Sequence, residues 1–164
     1  MTSPTQAALV GLARRFRFNE GLLQLATDGF ADAFWTHRPQ SGGNTAHWIL
    51  GHVTYSRNGL LRMAGADVPS EDWEAAFGRG AEPGAGEDGP QVADLIERFQ
   101  AAGERISAHF DSMSTEAAEA PAPYEMPDGS KTVGDVLHFM YFHETYHLGQ
   151  IGYIRRLEGL PGFI

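Results

Sequence analysis

The chain has 164 residues, 42% hydrophobic and 20% charged, with a formal net charge of −9 and no cysteine. That composition is globular and long enough for a single domain spanning 1–164 with its own core. An acidic balance without a basic stripe speaks against nucleic acid and anionic membrane as partners, and the missing thiols exclude disulfides, thiolate metal ligands and cysteine nucleophiles.

The opening stretch, "MTSPTQAALVGLARRFRF", has no positively charged segment ahead of an apolar one. No apolar run reaches the roughly 18 residues of a membrane span, so a cytoplasmic protein is expected. The first helix is predicted from Thr5 to Asp28, with Leu9, Leu12, Phe16, Glu20 and Leu23 on one side and Gly29 as its C-cap. Glu20 on that stripe is read either as a packed acid or as one that hydrogen-bonds a metal-ligating histidine or lines the pocket. His37 follows in a loop.

"SGGNT" then supplies loop glycines and a capping residue, Asn44 or Thr45, for a second helix running to Ala64. Its inward stripe reads Thr45, Ile49, His52, Ser56, Leu60 and Met63, with Trp48 at the edge and His47 on the far side. "GRGAEPGAGEDGP", residues 78 to 90, reads as a linker or a mobile lid, not a domain boundary, because two helices alone bury too little apolar surface. The third helix is predicted from Pro90 to Ser112, with Val92, Leu95, Ile96, Phe99, Ile106 and Phe110 inward and His109 at the surface. "APAPYEMPDGS", 120 to 130, is an extended, turn-forming connector. The fourth helix is predicted from Thr132 to Glu158, opened by Thr132 and Asp135 at capping-box spacing. Four amphipathic helices without an alternating strand pattern give an all-α, four-helix-bundle fold class.

The fourth helix contains His143-Glu144-Thr145-Tyr146-His147, an H-E-x-x-H string. At about 100° per residue, Val133, Val136, Met140, His143, His147, Ile151 and Ile154 share one stripe, which is expected to face the core. His138 falls on the opposite side. His52, His143 and His147 therefore point inward from two helices. An unpaired buried polar group costs about 2–7 kcal/mol, and three facing imidazoles are most simply satisfied by one divalent ion. Three protein ligands leave a position open, as catalytic sites do. Zinc and nickel are the expected metals, with iron as a further choice.

A metalloprotease needs a third ligand downstream, where Gln150 and Tyr153 replace the Gly and His of the extended motif. A di-iron bundle needs a second E-x-x-H, and none is present. Glu144, about 60° round the helix from His147, is the candidate catalytic base, with a salt bridge between helices as its structural alternative. Gln150 and Tyr146 are placed at the mouth, in core packing or in a dimer contact, and Trp48 and Tyr55 in packing.

"NTAHWILGHVTYSRNGLL", "DGSKTVGDVLHFMYFHETYHLGQIGYIRRLEGLPG" and the overall length resemble the DinB/YfiT-like superfamily of metal-binding four-helix bundles. The resemblance implies an up-down-down-up topology, and its three metal-binding histidines map onto His52, His143 and His147. It also implies homodimers and, in better understood members, S-transfer to small-molecule substrates using a low-molecular-weight thiol as cosubstrate. On this chain's residues, metal-dependent hydrolysis and a non-catalytic metal-binding or stress-related bundle stay open beside it.

Overall fold

A computed structural model describes residues 4–39, 42–81, 89–124 and 126–164, and it is all-helical apart from one isolated bridge. Four long helices carry it: α1 (Pro4–Thr27), α3 (Ala46–Met63), α4 (Val92–Ser112) and α6 (Val133–Leu157). Two single-turn helices, α2 (Asp32–Thr36) and α5 (Thr115–Glu119), and a 3-10 helix (Asp72–Phe77) sit in the connections. These three short elements lack the length for a periodic signal, and the sequence reading passes over them.

The caps follow local chemistry. The Thr45 side chain accepts from the Trp48 amide and opens α3. Thr132 and Asp135 form the expected reciprocal capping box on α6. α1 ends at Thr27, two residues before Gly29, whose φ of 76° takes the chain through the left-handed region. α4 begins at Val92, so Pro90 lies just outside it. The connector at 120–130 folds back on itself: the Ala122 amide donates to Lys131 O and the Val133 amide to Ala120 O. Residues 82–88, most of the expected glycine-rich linker, lie outside the described residues.

α1 packs between α4 and α6, and α3 packs between the same two helices, so α1 and α3 face each other diagonally. Two apolar clusters fix the directions. One joins Leu9, Leu12 and Phe16 of α1 to Leu60 and Leu61 of α3, Ile106 and Phe110 of α4, and Val133 and Leu137 of α6. The other joins Leu23 and Ala26 to Ile49, Leu50 and Val53, to Leu95 and Phe99, and to Leu148, Ile151 and Ile154. The first cluster holds the start of α1 and α6 but the end of α3 and α4. The chain therefore runs up, down, down, up. Among the described residues no helix is long and apolar enough to cross a membrane.

α3 is the most enclosed of the four. The 3-10 helix covers its outer side, and the Phe77 ring lies against Gly51, where an added Cβ would stand 2.1 Å from Phe77 Cδ1. His47 is buried under the same cover, not exposed as its helical phase suggests, and its Nε2 hydrogen-bonds Pro90 O at 2.9 Å. Periodicity reports which side faces the bundle but not what the following loop lays over the other side.

Candidate metal centre

α3 delivers His52 and α6 delivers His143 and His147 to one point. Nε2 of His143 is 3.2 Å from Nε2 of His52 and 3.2 Å from Nε2 of His147. The ligand atoms of all three lie within 4.8 Å of one another. His52 is buried, while His143 and His147 sit half-buried at the edge of the α3–α6 contact.

The outer ring nitrogens fix two of the three tautomers. Nδ1–H of His52 donates to Phe77 O at 2.7 Å, and Nδ1–H of His147 donates to Gln150 Oε1 at 2.8 Å. Each of those Nε2 atoms is then a bare lone pair aimed at His143. One proton on His143 Nε2 can serve only one of them at a time, whereas a cation serves all three. Tetrahedral ligation at a zinc–nitrogen distance of about 2.0–2.1 Å spaces neighbouring nitrogens by about 3.3 Å, so two of the three separations match such an ion, and the His52–His147 pair lies within 4.8 Å. Nδ1 of His143 is buried without a hydrogen-bond partner.

The three rings are held neutral. Burial pushes His143 down to about 3, helped by the neighbouring His147 and His52. His147 is lowered to about 4 by burial and then by His52, against its bond to Gln150. Burial also lowers His52, against its bond to the Phe77 carbonyl. Neutral imidazole is the ligating form. Aromatic rings frame the site: Trp48 stacks on His52 at 4.8 Å, Tyr146 meets His147 edge-on at 5.4 Å, and Phe139 lies over His143 at 6.5 Å.

Glu144 goes elsewhere. It is 2% exposed, its Oε2 accepts from Arg57 Nε at 2.7 Å, and its Oε1 accepts from Arg57 Nη2 and Asn19 Nδ2, each at 2.9 Å. Its structural alternative, a salt bridge between helices, is what it forms. Glu20 bonds Arg57 Nη1 at 3.0 Å. His138 is exposed, His37 contacts Glu158, and His109 bonds Ala64 O at 2.8 Å.

Sequence reasoning passed over Arg57, Asn19 and the orienting bond from Gln150. A signal existed for Arg57: it continues the apolar line Leu50, Val53, Arg57, Leu61 at helical spacing, and a charge there demands a buried partner. The Phe77 carbonyl had none, because it is a backbone atom at the end of a short 3-10 helix.

Fold and site together define a helical bundle with a three-imidazole cluster suited to a divalent ion. Residues 15–151 match the family model of the DinB superfamily, and the chain belongs to that superfamily. Among solved structures it is similar to YfiT from Bacillus subtilis, described as a probable metal-dependent hydrolase with an unusual four-helix bundle topology. The likeness has a TM-score of 0.69 at 16% identity and covers 92% of this chain and 87% of that one. No curated protein matches the chain.

Proposed function

We propose that this protein is a divalent-metal-dependent enzyme of small molecules, with His52, His143 and His147 as the ligands and transfer of a small thiol to an electrophile as the reaction. The observation that carries the reading is the convergence of three neutral Nε2 atoms, two of them with their outer nitrogens already committed to carbonyl acceptors. A divalent ion bound there supplies Lewis acidity and favours the ionised form of a thiol or water at its open position.

One feature of the chain supports thiol transfer, whose thiol must come from outside because the chain has no cysteine. Glu144, the acid adjoining the ligands in sequence, has both oxygens engaged by Arg57 and Asn19. A thiol on the ion is ionised outright, whereas water on the ion has a pKa of about 7 and its reaction gains from a general base that Glu144 does not supply. Hydrolysis is the second reading, favoured by the description of the Bacillus subtilis structure.

The outer side of α6 exposes Phe142, Tyr146 and Tyr153 at 57–62%. Exposed rings at these helical spacings support a homodimer through this side of α6.

The test is elemental analysis of purified wild type beside His143→Ala, followed by a panel of thiols with a model electrophile. About one ion per chain is expected in wild type and none in the variant. Thiol-dependent turnover by the loaded wild type alone supports transfer. Turnover of an ester or amide without thiol replaces it with hydrolysis, and absence of metal from wild type ends both.

A further inference from the structure

A charged layer divides the bundle. On each long helix one stretch separates the two apolar clusters: Asn19 and Glu20 on α1, Arg57 on α3, Gly103 on α4 and Glu144 on α6. Arg57, 1% exposed, spans this layer. Its Nε donates to Glu144 Oε2, its Nη2 to Glu144 Oε1 and Phe16 O, and its Nη1 to Glu20 Oε1 and Phe99 O, all at 2.7–3.0 Å. All five N–H groups of the guanidinium are used, and the group lies 3.5 Å from the centroid of the Phe99 ring. α4 leaves space for it only because residue 103 is glycine: a Cβ there would stand 1.7 Å from Glu20 Oε1 and 2.6 Å from Arg57 Nη1.

Such a layer does not follow from stability. Apolar residues of similar volume in place of a buried ion pair are often neutral or stabilising. What the pair supplies is direction. Two parallel N–H···O bonds fix the Arg57–Glu144 geometry in rotation as well as distance. The two helices they join are the two that carry the histidines. Glu144 lies one residue after His143 and three before His147, and Arg57 lies five after His52. An atom at about 6 Å from a helix axis moves by about 1 Å when the helix turns by roughly 10°. Metal–nitrogen bonds tolerate about 0.2 Å. Apolar packing carries no directional bond across the α3–α6 contact, whereas the bidentate pair does.

We propose that Arg57 and Glu144 are positioning residues: their buried bidentate pair sets the rotation of α3 against α6 and so brings the Nε2 atoms of His52, His143 and His147 to ligating distance. The proposal rests on the metal reading for its consequence, but the ring geometry can be followed without metal.

The test is the double variant Arg57→Met/Glu144→Met, which removes both charges of the pair and leaves Glu20, whose side chain is 24% exposed, to water. Zinc affinity is measured by calorimetry, and the cobalt-loaded form by its visible absorption. In the metal-free samples, NMR follows the Nδ1–H tautomers of His52 and His147 and the proton contacts between those rings, whose centroids are 4.7 Å apart. The double variant is expected to keep helical circular dichroism and cooperative unfolding. It should lose about 10–100-fold in zinc affinity, the range for supporting groups around ligands. Its cobalt absorption should change in intensity, and its ring contacts should weaken. Should it fail to fold, Gly103→Ala disturbs the same layer from α4, which carries no ligand, and the same losses are expected. A folded variant with wild-type affinity, cobalt spectrum and ring contacts overturns the proposal. Wild type that shows the ring contacts but takes up no metal defeats the metal reading instead, and the loss of those contacts in the variants still decides the positioning role.

Discussion

Glu144→Ala is the most informative single change, because its two roles predict different losses. Truncation removes the acceptor of three hydrogen bonds, from Arg57 Nε, Arg57 Nη2 and Asn19 Nδ2. Arg57 keeps Glu20, Phe16 O and Phe99 O, but its closest charge partner is gone and water does not replace it at 1% exposure. Burial alone disfavours the Arg57 charge, and Glu144 is the larger of the two acids that offset this. Removing one partner of a buried pair costs about 3–5 kcal/mol, against a total stability of roughly 5–15 kcal/mol. At about 2–4 °C per kcal/mol for a chain of this size, the midpoint should fall by about 6–20 °C. Urea and thermal unfolding of the metal-free protein measure it. In a double-mutant cycle with Arg57→Met, the double variant should recover most of the loss. A single variant within about 1 kcal/mol of wild type, or a double variant that loses the full sum, would refute the reasoning.

Three further outcomes are expected. The unfolded chain takes protons on these histidines below about pH 6.5, whereas the folded chain resists until about 3 at His143 and about 4 at His147. The unfolded state therefore binds more protons in that window, and metal-free stability falls as pH drops from 6.5 toward those values. The urea midpoint followed against pH should slope less in His143→Leu than in wild type. Gln150→Leu frees the His147 Nδ1–H and should lower zinc affinity by about 10–100-fold with little change in metal-free stability, read by calorimetry beside thermal melts. Gly51→Ala drives a Cβ to 2.1 Å from the Phe77 ring and should cost about 1–3 kcal/mol while displacing the carbonyl that holds His52, so both the unfolding midpoint and zinc affinity should fall.

The four long helices were legible because each is written in a repeat that one buried face imposes, whereas their up-down-down-up order was implied only by the family resemblance. The capping box of Thr132 and Asp135 is likewise a local bargain between adjacent residues, and it is found as expected. The short helices and the 3-10 segment were not legible, because five or six residues cannot show a period. His47 shows the same limit from another side: its burial depends on Pro90, which follows it by more than forty residues. The three site histidines were found by phase, yet the reason they are neutral and aimed lies in Phe77 O and Gln150, and the first of these is a backbone atom with no sequence signature.

The sequence reading centred the inward face of α6 on the histidines and that of α3 on His52, and in each case the centre lies to one side. The deepest line of α6 is Leu137, Glu144, Leu148 and Ile151, and that of α3 is Leu50, Val53, Arg57 and Leu61. A rule that keeps charges at the surface rotates both helices away from Arg57 and Glu144, because it weighs each residue alone and cannot see that the two neutralise one another inside. With the pair at the centre, His143 and His147 fall at the rim of the contact, half-buried. That offset suits the chemistry proposed. Imidazoles at the centre of the bundle would be closed off from any substrate, and fully exposed ones would have lost the burial that holds them neutral. Two charges occupy the middle, and the ligands stand where a small molecule can reach them.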